Sequence, residues 1–106
     1  MIDDDFIYAT EENNIHENSM KLVNIVGRNV LIARNQGKVY GVSNRCPHMG
    51  CDLSNGKLKD YTVTCPCHSW NFDVRTGEYQ YNKAIKLNVY ECKIEDGKIF
   101  VKIMDV

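Results

Sequence analysis

Short runs of apolar and β-branched residues, separated by turn residues, recur along most of the chain. Residues 21–26 and 29–33 are two such runs, and Gly27 with Arg28 provides a turn between them. Gln36 and Gly37 are a further turn signal, before a run at residues 38–42. Helix signals are weak throughout, so the pattern predicts an all-β chain of about eight short strands.

The last third of the chain repeats this pattern. Ile85, Leu87 and Val89 alternate with polar residues, which is typical of a half-buried strand. The Glu-Asp-Gly at residues 95–97 is a strong hairpin signal before the run at residues 98–103. Alternate apolar residues of that run would share one face, namely Ile99, Val101 and Ile103.

The middle of the chain, residues 45–76, reads differently. It is loop-like and contains both prolines, Pro47 and Pro66, each directly after a cysteine. Two short runs, residues 61–64 and 70–74, are its only strand signals. The sequence therefore predicts one domain over residues 1–106: an antiparallel β sandwich or small barrel as the base, with a loop-rich subdomain at about 45–76 inserted in it.

Composition and charge exclude several classes of protein. The 106 residues are 43% apolar and 25% charged, which is ordinary for one globular domain. Thirteen basic residues against 14 acidic ones leave a net charge of −1, which argues against a strongly basic nucleic-acid surface. No apolar run is long enough to span a bilayer, and the acidic N-terminus does not resemble a signal peptide. We therefore expect a soluble, cytoplasmic protein without a membrane anchor.

Cysteine and histidine cluster in the loop-like middle. The sequence has Cys46-x-His48, then sixteen residues, then Cys65-x-x-His68. Clustered cysteine and histidine in a reducing compartment indicate metal more often than disulfides. A zinc site of two cysteines and two histidines is one reading. Because each short loop mixes the two residue types, an asymmetric two-iron cluster is the reading that we favour.

This pattern resembles the Rieske [2Fe–2S] proteins. The likeness extends past the ligand motif through His68-Ser-Trp-Asn-Phe-Asp-Val-Arg-Thr-Gly-Glu78, a segment similar to that of ferredoxin-type Rieske proteins and of the small subunit of assimilatory nitrite reductases. The resemblance implies a Rieske-like β base with a cluster-binding subdomain at one end. It also implies one [2Fe–2S] cluster per chain, held by Cys46 and Cys65 on one iron and by His48 and His68 on the other.

Further expectations come from the same resemblance. Cys51 and Cys67 match the cysteines that form a disulfide in the Rieske proteins of cytochrome bc complexes, and we expect that bond here; two free thiols are the alternative. Trp70 and Phe72 stand where the high-potential proteins have a serine and a tyrosine that donate hydrogen bonds to cluster sulfur. Neither residue has a hydroxyl group, so we expect a low potential within the Rieske range.

The resemblance implies electron transport rather than catalysis. We expect a ferredoxin that takes electrons from a flavin reductase, passes them to an oxygenase or reductase, and is not itself an enzyme. One alternative is a Rieske small subunit of a larger oxidoreductase, such as nitrite reductase or a bc-like or arsenite-oxidase complex. The other is a zinc-bound interaction module without a redox role.

Overall fold

A computed structural model describes residues 6–47, 50–67 and 69–103 and contains twelve β-strands in them. Two three-residue 3-10 turns, Glu12–Asn14 and Leu53–Asn55, are the helical elements of this part of the chain, and neither could cross a membrane. All strand pairs are antiparallel. The strands are β1 (Phe6–Glu11), β2 (Ser19–Ile25), β3 (Arg28–Asn35), β4 (Lys38–Ser43), β5 (Lys57–Lys59), β6 (Thr62–Thr64), β7 (Asn71–Asp73), β8 (Glu78–Tyr79), β9 (Asn82–Lys86), β10 (Val89–Tyr90), β11 (Cys92–Glu95) and β12 (Lys98–Lys102).

Two sheets form the base of the protein. One has the strand order β10-β4-β3-β2 and the other the order β1-β12-β11. Their inner faces share one apolar core, to which Ile99 and Val101 of β12 contribute fully buried side chains, as the alternation in that run predicts. The all-β, antiparallel prediction is confirmed.

A third sheet, β5-β6-β7-β8-β9, encloses a second core together with the loops that carry Cys46 and Cys65. Strand β3 lies between the two cores, because its side chains alternate between them. Val30 and Ile32 point into the base core, whereas Leu31 and Ala33 point into the second core, and all four are fully buried. The second core therefore rests directly on the base.

Two strand predictions were wrong. The described part of the chain contains twelve strands rather than about eight, because very short strands such as β5 and β8 leave no alternation to detect. The run Ile85, Leu87 and Val89 is not one strand: β9 ends at Lys86, and Val89 pairs with β4 in another sheet. The Leu87 N–H donates instead to the Gly77 carbonyl oxygen, at 2.8 Å, so the chain changes sheets at this point.

The hairpin turns match the sequence signals with one shift. Gln36 with Gly37 and Asp96 with Gly97 have positive φ angles, as a two-residue hairpin turn requires. Between β2 and β3 the turn consists of Val26 and Gly27, one residue earlier than predicted. Val26 has a φ of 51° and is 74% exposed, so a β-branched residue occupies the left-handed region without packing in return.

Candidate metal centre

The first cysteine loop follows β4 and carries Cys46. The Cys46 N–H donates to the Cys51 carbonyl oxygen at 2.9 Å, and the Gly50 N–H donates to the Cys46 carbonyl oxygen at 2.7 Å. Gly50 has a φ of 74°, a conformation that other residues adopt only with strain. Buried Asn44 anchors the loop, because its side-chain oxygen accepts the Ser54 N–H at 2.9 Å.

The second cysteine loop connects β6 to β7 and carries Cys65. The Cys65 N–H donates to the Trp70 carbonyl oxygen at 2.8 Å, which closes the loop. Gly56 lets the two cysteine loops approach, since a Cβ atom there would collide with the carbonyl oxygen of Thr64. The pairing of β5 with β6 and of β6 with β7 then holds Cys65 against the second core.

Cys46 and Cys65, the two predicted cysteine ligands, lie next to each other. Each is 1% exposed, and both belong to the second core. Burial raises the pKa of the Cys65 thiol above its ordinary value; a hydrogen bond from the Cys67 N–H opposes this shift, and the neighbouring Cys46 thiol adds to it. Two adjacent buried thiols suit one iron of a [2Fe–2S] cluster, whose binding would displace their protons.

The predicted histidine ligands, His48 and His68, lie outside the described residues. Their neighbours Pro47, Gly50, Cys67 and Ser69 are described, and Ser69 has a positive φ of 57°. The assignment of all four ligands, the two cysteines and the two imidazoles, therefore stays a prediction.

A disulfide joins the two loops, between Cys51 and Cys67. This is the bond that the resemblance implied, and the alternative of two free thiols does not hold. The Sγ atoms of Cys51, Cys65 and Cys67 all lie within 4.8 Å of one another. While two of these three sulfurs are bonded together, only Cys65 is available as a thiolate ligand.

Aromatic side chains pack together where the second cysteine loop meets β7 and β8. The Trp70 ring stacks on Tyr79 with ring centroids 4.0 Å apart, and Phe72 is fully buried 5.6 Å from Tyr79. A chain of side-chain hydrogen bonds runs alongside, from Thr64 to Asn71 at 2.7 Å and from Asn71 to Gln80 at 2.9 Å. No sequence pattern indicates Tyr79 as a partner of Trp70, because the contact depends on how β7 and β8 pair.

The fifth cysteine, Cys92, lies apart from this site. It starts β11 and packs against the base core. Burial raises the pKa of its thiol to about 12, and the thiol lies 3.6 Å from the Tyr90 carbonyl oxygen. Cys92 is therefore a protonated packing residue, and it serves as a control for the cysteines of the loops.

Two buried thiols on disulfide-linked loops of an antiparallel β-protein suit the class of proteins in which thiolates bind a metal. Comparison with protein families gives the particular family: the model of the Rieske [2Fe–2S] domain matches residues 5–91. The chain belongs to the Rieske [2Fe–2S] domain family, and its cofactor is a [2Fe–2S] cluster.

Two curated relatives have similar sequences. The ferredoxin component of the naphthalene 1,2-dioxygenase/salicylate 5-hydroxylase systems of Ralstonia sp is 28% identical over 92 residues, which cover 86% of this chain and 88% of the relative. The ferredoxin subunit of the 3-phenylpropionate/cinnamic acid dioxygenase of Photorhabdus laumondii is 34% identical over 71 residues, which cover 65% of this chain and 68% of the relative.

A solved structure has the same fold. It is a chain from the complex of reduced oxygenase and oxidised ferredoxin in carbazole 1,9a-dioxygenase. The TM-score is 0.84 at 24% identity, and the match covers 95% of this chain and 98% of that chain. The sequence and the fold thus resemble proteins of about the same length.

Proposed function

We propose that this protein is a Rieske ferredoxin, a one-electron carrier that is not itself an enzyme. The juxtaposition of the buried Cys46 and Cys65 thiols carries this proposal. In the proposed site these two cysteines bind one iron, and His48 and His68 bind the other. When bound, the [2Fe–2S] cluster supplies a centre that gains and loses one electron.

The surrounding residues hold the ligands and control the charge at the site. The second core excludes water from Cys46 and Cys65. Water therefore does not displace these thiolates from a bound metal, and their positions are fixed. The Cys67 N–H donates to the Cys65 sulfur, so it stabilises negative charge there. Trp70 and Phe72 contribute packing and no hydroxyl donor, which favours a low potential.

The proposed partners are redox proteins. The named relatives are ferredoxin components of dioxygenase systems, which supports an oxygenase as the electron acceptor. A reductase as the alternative acceptor and a flavin reductase as the donor rest on the resemblance to ferredoxin-type Rieske proteins. We place the carrier in the cytoplasm. We also treat the whole chain as one domain, with the cluster-binding subdomain at about residues 45–76.

The Cys51–Cys67 disulfide favours a second candidate function. Rieske subunits of bc-like complexes have such a bond, so a subunit of a quinol- or arsenite-linked oxidoreductase is the alternative. The two candidates differ in potential, because bc-type proteins donate hydroxyl hydrogen bonds to cluster sulfur. Phe72 has no hydroxyl group, and therefore a low potential supports the ferredoxin.

The midpoint potential of the cluster-loaded protein, titrated at neutral and alkaline pH, tests this choice. We expect a value near the bottom of the Rieske range, about −150 mV. The potential should also fall with rising pH in the alkaline range, because iron makes the N–H groups of ligand imidazoles more acidic. A clearly positive potential would favour the second candidate, and a pH-independent potential would contradict histidine ligation.

The ligand assignment has its own test. Cys65→Ser should abolish the visible absorption and the electron paramagnetic resonance signal of the cluster, whereas Cys92→Ser should keep both. His68→Cys should shift the potential downward, toward the value of about −400 mV of all-cysteine clusters. A Cys65→Ser protein with an unchanged cluster would contradict the proposed site.

A further inference from the structure

We call the third sheet, β5 to β9, together with the two cysteine loops the tip of the protein. The tip contains four cysteines, Cys46, Cys51, Cys65 and Cys67, of which the proposed cluster binds two. Cys51, Cys65 and Cys67 have their Sγ atoms within 4.8 Å of one another. Zinc–thiolate bonds of about 2.3 Å in a tetrahedron place ligand sulfurs roughly 3.8 Å apart. The Cys65 sulfur thus lies within 4.8 Å of both disulfide sulfurs, which are bonded to each other and must separate to about 3.8 Å before all three can bind one cation.

Reduction would release those two sulfurs by a balanced exchange. A dithiol, such as dithiothreitol or a thioredoxin-type protein, attacks one disulfide sulfur, closes into its own disulfide and gives up two electrons and two protons. Cys51 and Cys67 become thiols, and a bound cation then displaces the thiol protons. Both cysteines are half-buried rather than enclosed, so a reductant and a metal ion have access.

We propose that reduction of the Cys51–Cys67 disulfide opens a second metal site, in which Cys51, Cys65 and Cys67 bind a soft divalent cation such as Zn²⁺ or Cd²⁺. The Cys46 thiol contacts that of Cys65 but does not belong to the group of three close sulfurs, so it would have to move to become a fourth ligand. Since Cys65 is shared with the proposed [2Fe–2S] site, this cation and the cluster exclude each other. That exclusion rests on the proposed function, whereas the three-thiolate site does not.

Backbone hydrogen bonds hold the shape of each loop in addition to the disulfide. The hydrogen bond from the Cys46 N–H to the Cys51 carbonyl oxygen positions Cys51, and the bond from the Cys65 N–H to the Trp70 carbonyl oxygen closes the other loop. Both are backbone bonds that reduction leaves in place. The three sulfurs should therefore stay close enough for one cation to join them.

The test compares two halves of one preparation of cluster-loaded, full-length protein under nitrogen. One half is treated with dithiothreitol and desalted, and both halves then receive ¹¹³Cd²⁺. Elemental analysis gives cadmium and iron per chain, circular dichroism reports the fold, and the cadmium chemical shift reports the number of bound sulfurs. We expect one cadmium ion bound by three or four sulfurs in the reduced half, with release of both irons, and none in the oxidised half.

Matched variants distinguish cadmium bound to the three cysteines from cadmium that only replaces iron at the cluster ligands. Cys51→Ser should weaken cadmium binding relative to the reduced parent protein by about a hundredfold, since even outer-shell partners change metal affinity by 10–100-fold. Cys92→Ser should bind as the parent does.

Several results would overturn the proposal. They are equal cadmium uptake by the oxidised half, a shift typical of two sulfurs and two nitrogens, unchanged binding by Cys51→Ser, or loss of the circular dichroism spectrum on reduction. Cadmium on three sulfurs with all iron retained would instead contradict only the ligand role of Cys65, and so the proposed function.

Discussion

The base and the cysteine-bearing tip of this protein are both antiparallel β-structures, but they are stabilised differently. Strands β1 to β4 of the base have six to eight residues, whereas β5 to β8 of the tip have two or three. Short strands bury little apolar surface by themselves. In the base, long strands stabilise the fold by burying apolar surface. In the tip, a disulfide, a ring stack and side-chain hydrogen bonds provide stabilisation instead.

The hairpin turns show the same difference. Two base hairpins place glycine after a residue with positive φ, at Gln36-Gly37 and Asp96-Gly97, so the local sequence suffices. In the tip, Asp60 and Tyr61 both have positive φ without a glycine. Tyr61 is held there by tertiary contacts: its N–H donates to the Asn35 side-chain oxygen at 3.2 Å, and Arg75 lies 4.1 Å from the centre of its ring. The tip therefore depends on the base for its backbone geometry.

The largest expected effect comes from β3, whose two faces serve the two cores. Leu31→Ala and Ile32→Ala each remove a fully buried side chain and should each lower the free energy of unfolding by about 2–5 kcal/mol. Leu31→Ala should also change the visible spectrum of the cluster, because Leu31 shares a core with Cys46 and Cys65. Ile32→Ala is the matched control and should leave that spectrum unchanged. Equal spectral changes in both variants would show that the cores are not separate.

Removal of the disulfide should have an effect of similar size, confined to the tip. The double variant Cys51→Ala, Cys67→Ala opens a loop with a sequence separation of 16 residues, which costs about 3 kcal/mol in the chain-entropy model. We expect earlier bleaching of the cluster on heating, while the base retains its far-ultraviolet circular dichroism. Simultaneous loss of both signals would mean that base and tip unfold as one unit.

A smaller, stabilising effect is expected in the base. Val26→Asn replaces an exposed β-branched residue at a φ of 51° by a residue that tolerates this conformation. The strain that it relieves is about 1 kcal/mol, and chemical denaturation should measure the gain. Val26→Ile keeps the strain and is the matched control. A destabilised Val26→Asn protein would refute the strained-turn interpretation.

The smallest effect concerns a surface ion pair of the tip and its pH dependence. Desolvation raises the pKa of Asp73, but hydrogen bonds and charge from Arg75, at 2.8 Å, outweigh it and hold the pKa below its ordinary value. Because the folded-state pKa is lowered, the contribution to stability is present above the unfolded pKa of about 3.9 and is lost as the pH falls through the folded value. Both side chains are partly exposed, so Asp73→Asn should cost less than about 1 kcal/mol at pH 7. The difference between parent and variant should vanish in acid; a difference that persists there would exclude the ion pair as its cause.

Much of the fold was predictable where local and tertiary preferences agree. The runs that became β2, β3, β4 and β12 alternate or end at glycine turns, and these signals depend only on neighbouring residues. The run Ile85, Leu87 and Val89 misled because alternation is the same whether one strand continues or the chain changes sheets. Its true course depends on Gly77 and β4, which are distant in the sequence.

The sequence by itself determined the all-β class and the resemblance to Rieske proteins, and it predicted which cysteines bind the cluster. Cysteines and histidines at fixed spacing on two loops suffice for that prediction, because few side-chain types can bind a metal. Only the tertiary structure decided that β3 divides two cores, that Trp70 stacks on Tyr79 and that three sulfurs converge beside one another. These arrangements depend on how separate strands pair and pack, and that information is distributed over the whole chain rather than carried by any local pattern.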